Sequence, residues 1–527
     1  MSAFRHFPTG TRIPDNPHAV IVSLPTFADV VGYEERRPET MDAVRTGYPR
    51  FLQHPYVTAV ARHLFLASKL PTRALFPVAS AEVARRVAAL AGAQDWGVVE
   101  SDGWALLHTS PTDPATAARA GKIIQHTGVA VSSRQAEDWL LARGLPLPAL
   151  TPIAPFERAA TAVVPAATPS AAANADVAAA NAERIAAEIV TVLAPLLAPA
   201  GAADVLLCRS GMNAFYAAFE AIRALQLPRG RTRWLHLGWL YTDTTEILRK
   251  CLGTDESFDF LPDVLDKAAV EKFFADNAGK VAAVVTETPT NPLVRTPDMA
   301  WLSALARQHG AVCVADPSIS GLVNVNLVPF ADVLVTSLTK YAGNGGDVMA
   351  GALVVNPAAP DAAALLSAAR LARSPAYWRD LARLAEEMTE MTTVAARINE
   401  NTGRLSAWLG KHPAVRRVLR ADDGGASAAN YAAIARGAGR PGCMLTIELN
   451  IPPARFYDRI RCAKGPSFGT GFTIVSPYIY MAHYELVGDA AQRRYLLDCG
   501  IDPELIRVSV GAEDYTEIEA VFAEALA

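Results

Sequence analysis

The chain lacks the features that mark several other classes of protein. Its six cysteines are widely spaced and include no C-x-x-C pair, so we expect neither disulfides nor a metal site. It has no block of lysine and arginine, and its net charge of −4 gives no reason to expect a nucleic-acid partner. No stretch is long and apolar enough for a membrane span or an N-terminal signal peptide, so we expect a cytoplasmic protein without membrane contact.

A dinucleotide-binding fingerprint is also absent. No G-x-G-x-x-G follows a strand-like run, which argues against a dinucleotide-dependent dehydrogenase. The chain is long and apolar enough to bury more than one hydrophobic core, since it has 527 residues, of which 51% are hydrophobic. We therefore expect two or three domains.

A lysine stands at the end of an apolar, strand-like run. Residues 331–351 read ADVLVTSLTKYAGNGGDVMAG, so the run passes Ser337 and Thr339, reaches Lys340 and enters a glycine-rich loop. A lysine amine can bond covalently to an aldehyde cofactor, and neighbouring hydroxyls can hold that cofactor's phosphate. A solvated lysine at an ordinary strand exit is the alternative that this stretch alone leaves open.

A carboxylate follows a second β-branched run. Residues 310–321 read GAVCVADPSISG, and the run ends at Asp316. Doubly wound sheets place ligand groups at the carboxyl ends of their strands, and pyridoxal phosphate needs a carboxylate there to keep its ring nitrogen protonated. An aspartate that only caps a turn before Pro317 is the alternative. The pairing with Lys340 favours the cofactor.

Three shorter segments fit the same chemistry. Ser210-Gly211-Met212 precedes a helical run, where backbone amides and the helix dipole suit a phosphate, although a plain helix cap is the alternative. Asn291 follows another apolar run and would reach the same edge of the sheet. Arg507 lies in a β-patterned run, and its guanidinium suits a two-point grip on a substrate carboxylate, with a surface ion pair as the alternative.

Together these segments resemble the pyridoxal 5'-phosphate enzymes of cysteine and methionine metabolism, the cystathionine synthase and lyase group. The matching motifs occur in the family's order: SGM at 210–212, ETPTNP at 287–292, SLTK at 337–340 and LIRVSVGAED at 505–514. The resemblance implies the α/β fold type I of these enzymes. It also implies that Lys340 bonds the cofactor, that Asp316 faces its ring nitrogen, and that the remaining residues hold its phosphate and ring: Ser210, Gly211, Met212, Asn291, Ser337 and Thr339.

The N-terminal region is similar to the long cystathionine γ-synthases of fungi, through SLPTFADVVGYEE at 23–35 and TGYPRF at 46–51. Tyr48 and Arg50 match the family's Y-x-R, which implies that they reach a neighbouring subunit's cofactor phosphate. Packing within the arm is the alternative. In HLGWLYTDTTEIL, Tyr241 matches the aromatic residue that stacks on the cofactor ring. The resemblance thus implies a homo-oligomer, a dimer with shared active sites that assembles further into a tetramer.

The chain departs from the family at two places: the first should change a local turn while keeping the carboxylate, and the second concerns the substrate. Asp316-Pro317-Ser318 replaces the common Asp-Asn-Thr, and residues 341–347 lack the common Gly-His-Ser arrangement. We interpret that loop as shaping the substrate side, so the substrate stays open. Ser467 matches the family's serine beside the substrate carboxylate and the lysine, with Phe468 in place of a leucine.

We predict four regions. Residues 1–60 form an arm that reaches the neighbouring subunit, and 61–178 form an extra α/β insertion followed by an Ala/Pro-rich linker. Residues 179–385 form the cofactor domain with a mainly parallel, seven-stranded-type sheet, and 386–527 form a smaller α/β domain with an antiparallel sheet. In the insertion we expect a helix over 81–93 and strands over 96–101 and 104–109. Nothing in it has the spacing of ligands or nucleophiles, so its role is open.

The resemblance implies a γ-replacement enzyme. We expect cysteine to displace the activating group of O-acyl or O-phospho homoserine, giving cystathionine in methionine metabolism. Lys340 and Tyr241 would be catalytic, and Arg507 and Ser467 would hold the substrate. The shared motifs leave γ- or β-elimination and sulfhydrylation open, as well as a cofactor-binding scaffold that has lost catalysis.

Overall fold

A computed structural model describes residues 4–68, 74–109, 113–150 and 175–527. The predicted linker at 151–178 lies outside these residues, apart from its last four, which begin a helix. Among the described helices, none has the length and apolar character needed to cross a membrane.

The N-terminal arm folds against its own chain. It contains an antiparallel pair, β1 (Arg12–Ile13) and β2 (Ile21–Val22), and the helices α1 (Phe27–Glu34) and α2 (Pro38–Met41). Apolar side chains of the arm pack on the C-terminal part of the chain, in a cluster formed by Phe7, Ile13, Val20, Ile21, Tyr48, Ala463, Phe472 and Ile474. Backbone hydrogen bonds from Val20 to Gly346 and from Leu24 to Lys464 fix its course.

Residues 55–150, called here the inserted module, form a small α/β unit. Its elements are α3 (Pro55–Ala67), β3 (Ala74–Val78), α4 (Ala81–Ala91), β4 (Trp96–Ser101), β5 (Trp104–Thr109), α5 (Pro114–Thr127) and α6 (Ser133–Leu141). The strands are antiparallel in the order β3-β5-β4. The helix and the two strands that the sequence predicts here are present.

The large domain is built on a seven-stranded sheet. After α7 (Ala175–Leu193) come β6 (Val205–Cys208), α8 (Gly211–Gln226), β7 (Arg233–Leu237), α9 (Thr242–Cys251), β8 (Ser257–Leu261), α10 (Lys267–Asp276), β9 (Val281–Glu287), α11 (Met299–Gln308), β10 (Val312–Asp316), β11 (Val333–Ser337), β12 (Gly351–Val355) and α12 (Ala362–Ala372). The order is β6-β12-β11-β10-β9-β7-β8, and only β12 is antiparallel to its neighbours. Helices cover both faces, which is why β9 and β12 are buried throughout and mostly apolar. The predicted mainly parallel sheet is confirmed.

The sheet topology brings polar residues to one edge. The parallel strands β9, β10 and β11 are adjacent and end at Glu287, Asp316 and Ser337. Carboxyl ends of parallel strands share an edge, where open α/β sheets bind ligands. Residues distant in sequence therefore meet there.

The C-terminal part adds a five-stranded sheet. Its elements are α13 (Trp378–Met388), α14 (Met391–Leu409), β13 (Val415–Leu419), α15 (Gly425–Ile434), β14 (Met444–Leu449), α16 (Pro453–Arg459), β15 (Ala463–Lys464), β16 (Ile474–Ser476), α17 (Tyr478–Ala482), α18 (Ala490–Asp498), β17 (Ile506–Ser509) and α19 (Tyr515–Leu526). The order is β13-β14-β17-β16-β15, antiparallel except for β15 with β16. The domain limits at 60, 178 and 385 stay predictions.

Candidate active site

A cavity of about 490 Å³ lies at the carboxyl edge of the large sheet. The arm, the inserted module and the C-terminal part complete its walls. Most of the site residues that the sequence predicts line it: Tyr48, Arg50, Gly211, Met212, Tyr241, Asn291, Asp316, Ser337, Lys340, Ser467 and Arg507.

Lys340 is buried in this cavity, with 8% of its surface exposed. Its Nζ donates a hydrogen bond to Ser467 Oγ at 2.7 Å and lies 5.1 Å and 4.9 Å from the ring centres of Tyr48 and Phe468. Burial lowers the pKa of Lys340, and the charge of Arg507 adds to this effect, although Tyr48 opposes it. The amine therefore loses its proton more readily than that of an exposed lysine.

Two carboxyl groups lie side by side at the edge of the sheet. Asp316 and Glu287 are paired in register between β10 and β9. Burial raises the pKa of Asp316 to about 6, although the amide of Ser318, 2.8 Å from Asp316 Oδ1, favours the ionised form. Burial and then the charge of Asp316 raise the pKa of Glu287 well above its ordinary value. A protonated ring nitrogen placed here would find a carboxylate to pair with.

The start of helix α8 also lines the cavity. Gly211 and Met212 occupy its first turn, where backbone amides have no acceptor within the helix and the helix dipole is positive. A Cβ on Gly211 would lie 2.9 Å from Ser337 Cβ, so a larger residue would crowd the site. This end suits a phosphate group.

Two predicted phosphate ligands do not line the cavity. The Ser210 hydroxyl caps α8, accepting a hydrogen bond from the Asn213 amide at 3.1 Å. The Thr339 hydroxyl accepts from the Ala350 amide at 3.1 Å. Both hydroxyls bond to the backbone in this structure, so they support the residues that line the cavity, and their contact with the cofactor stays a prediction.

Tyr48 and Arg50 lie in the site of their own chain. Arg50 Nη2 donates to Tyr241 Oη at 2.6 Å, and Nη1 pairs with Asp243. The arm's apolar residues pack on the C-terminal sheet, which brings Arg50 to the cavity. That Tyr48 and Arg50 reach a neighbouring subunit's cofactor stays a prediction.

Arg507 projects from β17 into the cavity wall. Its guanidinium donates to Ser467 O at 3.2 Å and to Asn291 Oδ1 at 3.4 Å, and lies 4.6 Å from the ring centre of Tyr478. Within the described part of the chain it forms no ion pair with a carboxylate. Burial lowers the pKa of Arg507. A buried, unmatched positive charge in a cavity is suited to an anionic substrate group.

The loop after Lys340 lies away from the cavity. Asn344 Nδ2 donates to Glu387 O at 3.1 Å, and Asp347 accepts hydrogen bonds from Arg383 at 3.0 Å and Arg134 at 2.8 Å. The expectation that this loop shapes the substrate side is therefore corrected. It ties α13 and the inserted module to the strand that carries the lysine.

Residues of the cavity wall that the sequence-based prediction missed include His126, Asp243 and Tyr478. Asp243 follows Tyr241 by two positions at the start of α9, where a buried acid could have been suspected. His126 carries no local signal, because it belongs to the inserted module and reaches the site only through tertiary packing.

A family model described as Cys/Met metabolism PLP-dependent enzyme matches residues 166–527. The chain belongs to this family. It is therefore an enzyme that depends on pyridoxal phosphate, of the cystathionine γ-synthase and lyase type, and its fold is the type I fold of that group.

Two relatives match nearly the whole chain. An L-2-amino-4-chloropent-4-enoate dechlorinase/desaturase of Streptantibioticus cattleyicolor is 37% identical over 97% of both chains. A cystathionine gamma-synthase of Neurospora crassa is 28% identical over 99% of this chain and 98% of its own. The crystal structure of a methionine gamma lyase from Micromonospora echinospora matches 64% of this chain and 84% of its own, with 25% identity and a TM-score of 0.53.

The residues of the cavity fit the family's cofactor. Glu287 Oε2 is buried and has no hydrogen-bond partner among the described residues, beside the carboxylate of Asp316. The same cavity offers helix amides, a cradle at Gly211 that a Cβ would fill, and Arg50. A buried acid pair, an anion-binding helix start and a buried lysine in one cavity match a ring nitrogen, a phosphate and an aldehyde.

Proposed function

We propose that this family member removes a leaving group from Cγ of an L-amino acid. The observation that carries the proposal is the arrangement of Lys340, Ser467 and Arg507, with the amine 2.7 Å from the serine hydroxyl and the guanidinium on the same serine's carbonyl. A lysine that bonds the cofactor is thereby set beside a group that can hold the substrate carboxylate.

The cofactor would be held at three points. Lys340 bonds its aldehyde, Asp316 faces its ring nitrogen, and Gly211, Met212 and Arg50 hold its phosphate; Ser337, Asn291, Tyr48 and Tyr241 complete the enclosure. Pyridoxal phosphate supplies an electron-withdrawing ring that stabilises negative charge at the substrate's Cα.

Lys340 moves the protons. Because burial lowers the pKa of Lys340, its Nζ gives up its proton more readily than an exposed amine, so that it can take the proton from Cα once substrate has displaced it. Ser467 Oγ accepts from Nζ and keeps the amine over the substrate side. Arg507 fixes the carboxylate, which determines the face from which Cα presents its proton. Burial of all three side chains limits the access of water.

Several fates of the substrate are open after the leaving group departs. Addition of cysteine would give cystathionine, the outcome that the sequence led us to expect. Loss of a further proton without addition would give a more unsaturated amino acid, and this second candidate is favoured by the dechlorinase/desaturase that is 37% identical over nearly the full chain. Sulfhydrylation or release of a keto acid would follow from the same first step.

Product analysis separates these fates. We would incubate the purified enzyme with O-acetyl, O-succinyl and O-phospho homoserine, with and without cysteine, and with L-2-amino-4-chloropent-4-enoate. Released acyl group, phosphate or chloride measures the common step, and mass spectrometry identifies the product. Lys340→Ala is the control. Failure to release a leaving group from any of the four substrates would contradict the proposal.

A further inference from the structure

Tyr341, the residue directly after Lys340, lies in a tight cradle of three glycines. A Cβ on Gly321 would lie 2.5 Å from its ring, a Cβ on Gly442 would lie 2.7 Å from its hydroxyl, and a Cβ on Gly469 would lie 3.0 Å from its backbone nitrogen. All three glycines have a φ between 69° and 80°, a conformation that other residues rarely adopt. Three separate segments of the chain are thus shaped to fit one buried tyrosine.

The hydroxyl of Tyr341 joins the large domain to the C-terminal part of the chain. It donates to Ile319 O at 2.7 Å and accepts from the Cys443 amide at 2.8 Å. Ile319 follows the strand that ends at Asp316, and Cys443 directly precedes β14. Burial raises the pKa of Tyr341 well above its ordinary value, so the hydroxyl keeps the proton that it donates.

The backbone of Tyr341 connects Lys340 to the segment that carries Ser467. Its amide donates to Gly469 O at 2.8 Å, two residues after the serine, and Gly469 N donates in turn to Ser509 Oγ at 3.0 Å. Tyr341 and Ser467 themselves have φ values of 55° and 114°. Such strained conformations persist only where the surrounding contacts fix them. The lysine and the serine are therefore held by one set of contacts around Tyr341.

We propose that Tyr341 is a positioning residue that holds Lys340 Nζ and Ser467 Oγ within hydrogen-bond distance of each other, and so holds the amine where it meets Cα of the substrate. The two atoms are 2.7 Å apart. The inference rests on the proposed roles of these two side chains in proton transfer. Proton transfer needs close contact, and a displacement of about 1 Å can cost on the order of 100-fold in rate.

Removal of the hydroxyl alone tests the proposal. Tyr341→Phe keeps the ring in its cradle but leaves the Cys443 amide without its acceptor, so the two parts of the chain can shift. The holoenzyme would be incubated in deuterated water with L-norleucine, which has an α-proton but no leaving group, and NMR would follow exchange of that proton. We expect kcat for exchange to fall about tenfold, because the amine is less well placed. KM should change by less than about threefold, because Arg507 still binds the carboxylate.

Tyr431 provides a matched control. It is also buried, and its hydroxyl joins the same two parts of the chain, with Arg440 O at 2.6 Å and Ser320 Oγ at 3.1 Å. It neither follows the lysine in sequence nor lines the cavity. Tyr431→Phe should lower the midpoint of urea unfolding about as much as Tyr341→Phe does and should exchange the α-proton like the wild type. Equal loss of exchange in the two variants would reduce the effect to weaker packing and would overturn the proposal.

A double-mutant cycle shows whether Tyr341 acts through the serine. Ser467→Ala removes the acceptor of Lys340 Nζ. If Tyr341 serves to hold that contact, adding Tyr341→Phe to Ser467→Ala should slow exchange by less than about threefold, instead of about tenfold. The same tenfold loss in both backgrounds would show that the two residues act independently, contrary to the proposal.

Crystal structures of the apo-proteins give a readout that needs neither cofactor nor substrate. In Tyr341→Phe we expect Nζ and Oγ to separate beyond about 3.5 Å, whereas the wild type and Tyr431→Phe should keep the contact. An unchanged contact in Tyr341→Phe would overturn the positioning role. Neither this readout nor α-proton exchange requires a leaving group. Wild-type enzyme that exchanges the α-proton but releases no leaving group would therefore contradict the proposed function and not this inference.

Discussion

Replacement of Arg507 by glutamine gives the most direct test of substrate binding. The guanidinium is buried, makes two hydrogen bonds of 3.2 and 3.4 Å to neutral oxygens, and forms no ion pair within the described residues. A substrate carboxylate would supply the missing anion. Hydrogen bonds to charged groups contribute roughly 1.5–3 kcal/mol each, so losing this contact should cost about 2–4 kcal/mol. That corresponds to a decrease of about 30- to 1000-fold in kcat/KM.

Arg507→Gln should have only a small effect on the stability of the apo-protein. Removing two hydrogen bonds is unfavourable, but removing a buried charge that has no counter-ion is favourable, so the free energy of unfolding should change by less than about 1 kcal/mol. Cofactor affinity should also stay unchanged. Arg436→Gln is a matched control, because Arg436 donates to backbone carbonyls, including Leu322 O at 2.7 Å, and does not line the cavity.

Steady-state kinetics, cofactor titration and urea unfolding of both variants would be compared. A kcat/KM within about threefold of the wild type would refute the assignment of Arg507 to the substrate. So would a loss of unfolding free energy above about 2 kcal/mol together with loss of cofactor, since that would make Arg507 a structural residue.

Three further predictions concern the cofactor, and equilibrium titration with pyridoxal phosphate checks each. Because burial raises the pKa of Asp316 to about 6, the affinity for pyridoxal phosphate should fall by up to about tenfold per pH unit below pH 6, where protonation removes the partner of the ring nitrogen. Asp316→Asn should lack this pH dependence. A wild-type affinity that does not change with pH would contradict the assignment of Asp316. Gly211→Ala should weaken the binding of pyridoxal phosphate at least about tenfold, because the new Cβ would lie 2.9 Å from Ser337 Cβ. Gly403→Ala should leave the binding unchanged, because its Cβ would meet only a side-chain atom at 4.0 Å. Glu287→Gln should keep the affinity within about threefold, since the raised pKa of Glu287 favours its neutral form and the amide has the same shape. A large loss would mean that the ionised form is required.

Most residues that line the site could be predicted from the sequence. Lys340, Asp316 and Gly211 each end or begin an element with a clear pattern, and the strands that position them are buried, apolar and short. Local patterns of this kind place residues at the carboxyl edge of a parallel sheet without knowledge of the strand order. The α/β fold and the separate C-terminal sheet follow from the same alternation of strands and helices.

The tertiary structure decided which groups face the cavity. The hydroxyls of Ser210 and Thr339 have the right sequence context but bond to the backbone, because a helix cap and a turn need them. The loop after Lys340 packs on α13 through charges that come from distant elements. Side-chain direction at an element's end depends on such contacts, which are set by packing rather than by local pattern.

The course of the arm and the placement of the inserted module likewise depend on long-range contacts. Nothing near Arg50 in sequence shows that apolar residues of the arm will pack on the C-terminal sheet. Nothing near His126 shows that it will meet Asp243, 117 residues later. The sequence by itself determined the fold class, the cofactor and the residue types of the site. Only the folded chain decided which of them meet, because burial and charge pairing select among arrangements that the local sequence permits.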